Sequence, residues 1–310
     1  MSVLATYTVP CSKGGFNHSP NVDAMPAEAM QHPSRNINMH RGGRESRSGT
    51  AKVNATAGYG GVRIMGAYDY VNSAGTQFTV VVTTDGKIWK DTANTIKATG
   101  WTAGKLASFA VMNNLLYVCN GYDRPQTWNG TDATTTDLAA IPTDWTGTNW
   151  PKQLLVHGAG NSERMWAIMP SGSKKLYASK DNNGVAAADF ADANVLTFYI
   201  ETGDYKGLTG MAEHGDRLFL FSKRQSFLML DTDADTNLWG YTQAQWAGGA
   251  ANHRLIVKTP NDLICFMDDG EAYSVSAVQA YGDYIKASIT RPAFIDAWIK
   301  QFINLGQMEN

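Results

Sequence analysis

The chain has 310 residues, of which 43% are hydrophobic and only 17% charged, with 30 Gly, 9 Trp and 13 Tyr. That is a turn-rich, aromatic β composition with ample material for a core. A formal net charge of −2 excludes a global electrostatic pull toward nucleic acid or membrane, and no window approaches the roughly 20 apolar residues of a membrane-spanning helix.

Residues 1–63 differ from the rest. Seven basic residues stand against three acidic ones, a net of +4, so the remaining 247 residues carry −6. Gly14-Gly15, Pro20, Pro26, Pro33 and Gly42-Gly43 punctuate this stretch, and it has few apolar runs. It reads as an extended basic arm, with a short helix start at Pro26 to Met30.

From Val62 the pattern becomes alternating. Phe78 to Lys90, FTVVVTTDGKIWK, reads as a β-hairpin turning on Asp85-Gly86, where glycine supplies a positive φ without a Cβ clash. Thr83-x-Asp85-Gly86-x-x-Trp89 resembles the Asp-box turn of sialidase-like propellers, one residue short, and that turn is a structural device. The same plan returns at Leu115–Val118 with Thr127-Trp128, at Met165–Ile168 with Leu176-Tyr177, at Leu218–Phe221 with Phe227–Leu230, and at Leu263–Phe266 with Ala272–Val275. Return strands at 89, 128, 177, 228 and 273 are 39, 49, 51 and 45 residues apart. Repeats of that length built from short strands are the sequence signature of propeller blades.

The fold expected is therefore an all-β propeller of about five or more blades over 62–289. An arm at 1–61 precedes it, and a short helix at 290–310 follows, with Thr290 as N-cap and Pro292 in the first turn. A propeller is expected to close by sharing strands between its first and last blades. Residues 91–104, 129–150 and 181–198 read as connections. In the second of these, Trp145 and Trp150 are candidates for contact with a neighbouring subunit.

No enzyme constellation stands out. The six histidines lack HExxH spacing, and there is neither a G-x-S-x-G elbow nor a phosphate-cradling loop. Asp231-Thr232-Asp233-Ala234-Asp235 begins like a calcium loop but has Thr236 and Thr242 where Gly and Glu are needed, so a solvated turn is expected, with no metal and no cofactor. His214-Gly215-Asp216 reads as a polar turn. Cys119 and Cys265 lie in apolar runs and read as buried thiols.

The arm carries a resemblance. Gly14-Gly15-Phe16-Asn17, Ser19-Pro20-Asn21, Met25-Pro26-Ala27-Glu28-Ala29, Asn36-Ile37 and Gly42-Gly43-Arg44-Glu45-Ser46-Arg47-Ser48-Gly49 follow one another in an order similar to the opening of bacteriophage virion proteins of the propeller nozzle or tail-hub type. The resemblance implies a non-enzymatic tail component, made in the host cytoplasm. It implies a ring of copies, sixfold, below the portal and adaptor, offering a platform for tail fibres and surrounding double-stranded DNA without reading its sequence. Gly14, Gly15, Asn17, Asn21, Arg41, Arg44 and Arg47 are then the docking residues. The rival expectation is a carbohydrate-binding or hydrolytic receptor-binding propeller, which would gather aromatic and carboxylate side chains in one pocket.

Overall fold

The computed structural model describes residues 16–17, 30–31, 37–40, 43–46 and 59, and then 62–289 apart from 92–93, 160–161, 171, 204–206, 245–247, 261, 268–270 and 279–282. In the arm, β1 (Phe16–Asn17) pairs in parallel with β2 (Met30–Gln31), and β3 (Ile37–His40) pairs antiparallel with β4 (Gly43–Ser46). Met30, expected in a helix, is thus in a strand; residues 26–29 and the expected C-terminal helix lie outside the described residues.

Five four-stranded antiparallel sheets follow, each made of four consecutive strands. Blade 1 holds β5 (Ile64–Val71), β6 (Gln77–Thr83), β7 (Ile88–Lys90) and β8 (Asn94–Lys97). Blade 2 holds β9 (Ser108–Met112), β10 (Leu115–Cys119), β11 (Gln126–Trp128) and β12 (Thr136–Asp137). Blade 3 holds β13 (Gln153–His157), β14 (Arg164–Ile168), β15 (Lys175–Ala178) and β16 (Leu196–Tyr199). Blade 4 holds β17 (Gly210–His214), β18 (Arg217–Phe221), β19 (Ser226–Leu230) and β20 (Gly240–Gln243). Blade 5 holds β21 (Ile256–Lys258), β22 (Leu263–Phe266), β23 (Ala272–Val278) and β24 (Asp283–Ser288). Over the described residues the fold is an all-β, five-bladed propeller, and all five expected repeats fall on the second and third strands of a blade.

The apolar runs of the second strands have a simple cause. Side chains alternate across a strand, and in a propeller both faces of a blade meet another blade. Leu116 and Val118 enter the layer between blades 1 and 2, while Tyr117 and Cys119 enter the layer between blades 2 and 3. Leu218 and Leu220 face blade 3; Phe219 and Phe221 face blade 5. Burial of both faces requires hydrophobic residues at every position, so these strands lose the usual alternation.

Tight turns set the register. In the hairpin from β6 to β7, Gly86 has φ of 76° and a Cβ there would lie 2.3 Å from the Trp101 carbonyl oxygen. Asp85 accepts from the Thr83 hydroxyl at 2.6 Å and pairs with Lys87 at 2.7 Å, and Trp89 Nε1 donates to Thr83 Oγ1 at 2.9 Å. The Lys87 ammonium, then the Thr83 hydroxyl, hold the Asp85 carboxyl below the usual carboxylate range. The polar turn read at His214-Gly215-Asp216 joins β17 to β18, with Gly215 and Asp216 both at positive φ. Asn113 and Asn114 do the same between β9 and β10, the two-residue hairpin geometry that matches strand twist.

Three expectations need correction. Among the described residues blades 1 and 5 share no strand, since each four-stranded sheet is built from its own stretch of chain. Instead Arg254, just before β21, donates to the carbonyls of Met65 at 3.0 Å and Ala107, tying the start of blade 5 to blades 1 and 2. The segments 91–104, 129–150 and 181–198 are not simple connections, because each supplies part or all of an outer strand: β8, β12 and β16. Trp145 does not face a neighbour either. It is fully buried, edge-on to Tyr177 at 5.5 Å and 4.9 Å from Phe190, in the layer between blades 2 and 3. Trp150 is only half-buried and packs against the same layer.

Candidate functional site

Of the residues singled out in the arm, Asn17 lies in β1 opposite Gln31, and Arg44 lies in β4 opposite Met39. Gly14, Gly15, Asn21, Arg41 and Arg47 lie outside the described residues. Among the described residues, the strands of the arm pair with one another and join none of the five blades.

The first strands of the blades create two further features, one at each end. Segments that lead into these strands converge at one end; the turns that leave them gather at the other. At the leaving end, a cleft of about 570 Å³ opens between blades 3 and 4. Five carboxylates line it, Asp181, Glu213, Asp216, Asp231 and Asp233, against the single guanidinium of Arg164. His157, the last residue of β13, sits between two of them, with Nε2 3.1 Å from Asp231 and Nδ1 3.8 Å from Glu213. The Asp231 side chain is only 7% exposed, and its Oδ1 has no hydrogen-bond partner among the described residues. The three acids of the 231–235 run are used separately: Asp231 turns inward to His157, Asp233 accepts from Asp235 N, and Asp235 caps a one-turn 3-10 helix at Thr236–Leu238.

One wall of this cleft is aromatic. Trp166 stacks on Trp239 at 6.1 Å and on Phe198 at 5.9 Å, and the Arg164 guanidinium lies 5.4 Å from the Trp239 ring centre. Burial lowers the pKa of Arg164 below the usual guanidinium value, and Asp181, 3.5 Å away, opposes that shift. The aromatic faces are largely spent on each other and on Arg164, so they form a wall rather than an open platform.

At the opposite end, a pocket of about 310 Å³ is lined by Lys105, Lys152, Lys223 and His253 together with Asn120, Tyr122, Thr209 and Asn252. No carboxylate is among its described lining residues. Lys152 Nζ donates to the Leu208 carbonyl at 2.7 Å, and burial pushes this amine down to about 8. Burial, then the charges of Arg254 and Lys152, hold His253 neutral at about 3. Lys105 lies 3.5 Å over the centre of the Tyr122 ring.

Neither opening was legible as a motif. The cleft joins side chains from two blades, and its members come from the ends of first strands (His157, Glu213), from the second strand β14 (Arg164, Trp166) and from segments after third strands (Asp181, Asp231), so no local stretch announces it. The one usable signal was the 231–235 acidic run, read for its spacing and not for its first member. Cys119 and Cys265 are buried free thiols as expected, and burial pushes Cys265 up to about 12.

No known family profile and no curated protein matches the chain. Among solved structures, the chain is similar to the crystal structure of BamB from Moraxella catarrhalis, at 12% identity and a TM-score of 0.43 over 72% of this chain. It spans 61% of that protein's chain.

Proposed function

We propose that the chain is a structural component of a bacteriophage tail, a propeller that assembles into a ring below the portal and adaptor through its basic arm. The observation that carries this reading is the order of motifs in the arm, taken with the separation of the arm's strands from every blade. A segment whose backbone is not used to complete its own propeller is available to add to a neighbour's sheet edge. Charge supports the same direction: residues 1–63 carry +4 and the remainder −6, with five carboxylates concentrated in one cleft of the body. In this reading the propeller joins parts, offers a platform for fibres and surrounds the genome's path, without chemistry of its own.

The test is assembly. Sedimentation of the full chain should show a ring, and a chain starting at residue 61 should remain a folded β protein that sediments as a monomer. Rings of full size from the shortened chain would refute the arm's role. The cleft beside Trp239 favours a second reading, in which its acids and aromatic wall hold a glycan of the host surface. Binding on a glycan array that is lost in Asp231→Asn, by a chain that forms no ring, would promote it.

A further inference from the structure

The pocket at the end where the first strands begin gathers positively charged side chains. Lys105, Lys152 and Lys223 line it, the His253 side chain forms part of the wall, and Arg254 lies next in sequence. Three lysines elsewhere on the body pair with carboxylates: Lys87 with Asp85, Lys175 with Asp144, Lys258 with Glu213. Lys152 and Lys105 have no such partner among the described residues. Lys152 meets a backbone carbonyl, and Lys105 meets the face of Tyr122.

The cost of this arrangement is visible. An ammonium group withdrawn from water has its charged form destabilised, and the lowered position of Lys152 has that cause. The imidazole of His253 is also held uncharged, with its buried Nδ1 lacking a hydrogen-bond partner among the described residues. Around these groups stand the neutral Asn120, Thr209 and Asn252; the Asn120 amide donates to Asp123 and the Thr209 hydroxyl to the Ala250 carbonyl, which leaves the Asn252 amide to meet an oxygen-rich ligand. A concave site with several cations, neutral hydrogen-bonding groups and no described acid is complementary to a multivalent oxyanion.

We propose that this axial pocket is a binding site for a multivalent oxyanion, a phosphate or polycarboxylate group, held by Lys152 and Lys105 with Lys223 at the rim. The volume of about 310 Å³ accommodates more than a bare inorganic ion, so the group belongs to a small organic phosphate or tricarboxylate, or to a chain end that reaches the axis. Phosphate and citrate separate the two chemistries. This inference stands apart from the arm and from the reading of the chain as a tail protein; it holds for a monomer and for a ring alike.

The experiment is calorimetric titration of the full chain at neutral pH and low salt with inorganic phosphate, and separately with citrate. Saturable binding of one equivalent is expected, and Lys152→Met should weaken it about tenfold or more, the loss expected for one charge-assisted hydrogen bond. Lys105→Gln, at a half-exposed position, serves if Lys152→Met does not fold. Lys258→Met removes the same charge at the opposite end, so it should leave the affinity unchanged. Tighter phosphate assigns the site to a phosphate ester, and tighter citrate to a polycarboxylate; either supports the pocket. No saturable heat with either anion would overturn the proposal. So would an affinity that the two pocket variants share with the wild type, or one that Lys258→Met lowers as much as they do.

Discussion

Replacing Trp145 by alanine tests whether the 129–150 segment is part of the core. The side chain is fully buried, with rings of Tyr177 and Phe190 at 5.5 and 4.9 Å. A tryptophan buries roughly 200 Å², worth about 5 kcal/mol at about 25 cal/mol per Å². Alanine keeps its Cβ and the site relaxes in part, which brings the expected loss to about 4 kcal/mol, within the usual range for such truncations. The indole nitrogen has no hydrogen-bond partner among the described residues, so no polar debt adds to that figure. Urea unfolding followed by circular dichroism is the assay, and at a slope of roughly 3 kcal/mol/M the midpoint should fall by more than about 1 M. Trp150→Ala is the control: that ring is half-buried, donates to the Gly147 carbonyl at 2.8 Å, and should cost much less. If the two variants unfolded together, within about 0.3 M of the wild type, the segment would be a surface loop and the packing argument would fail.

Three further outcomes are expected. Gln153 donates to the Met211 carbonyl at 2.8 Å and accepts from Met211 N at 2.9 Å, clasping β13 to β17; Gln153→Leu strands both backbone groups and should cost about 2–4 kcal/mol in the same urea assay. His253 is held at about 3, well below its ordinary value of 6.5, so the unfolded chain takes up its proton first as pH falls. Its contribution to stability is whole above pH 6.5 and is lost on acidification toward 3, and His253→Gln should show a shallower decline over that window, measured as urea midpoint against pH. Gly86→Val forces a branched side chain to φ of 76° and against the Trp101 carbonyl, and should destabilise by more than about 2 kcal/mol, whereas valine at Gly75, where φ is 78° with open space around it, carries only the backbone part.

The sequence was most informative where burial is two-sided. Leu218-Phe219-Leu220-Phe221 and Met165-Trp166-Ala167-Ile168 are legible because a strand between two blades has no solvent face, a condition that blades 2, 3 and 4 share. The alternation after Val62 marks the first strand of blade 1, β5, but the first strands of blades 3 and 4 were missed because they carry Gln153, His157 and Gly210, residues suited to cross-blade bonding and close approach. A Cβ on Gly210 would come within 2.8 Å of the His253 Cα. The outer strands were missed for a different reason: β12 is two exposed residues, and β16 alternates between half-buried and exposed. Trp145 was misplaced because its neighbours in sequence are polar, while its neighbours in space come from residues 177 and 190. The two openings depend on that same bringing together of distant segments, so no local spacing could reveal them.

The opposite charge of the two ends gives the propeller a direction. With lysines where the first strands begin and carboxylates where they end, each copy resembles a small bar with unlike poles. When such bars stand side by side around a rotation axis, their sideways components cancel and their axial components add. A ring of copies would then present one basic rim and one acidic rim, and anything charged arriving along the axis would meet a different potential from above than from below. Which way up the ring sits would be settled by long-range attraction before any surface touched.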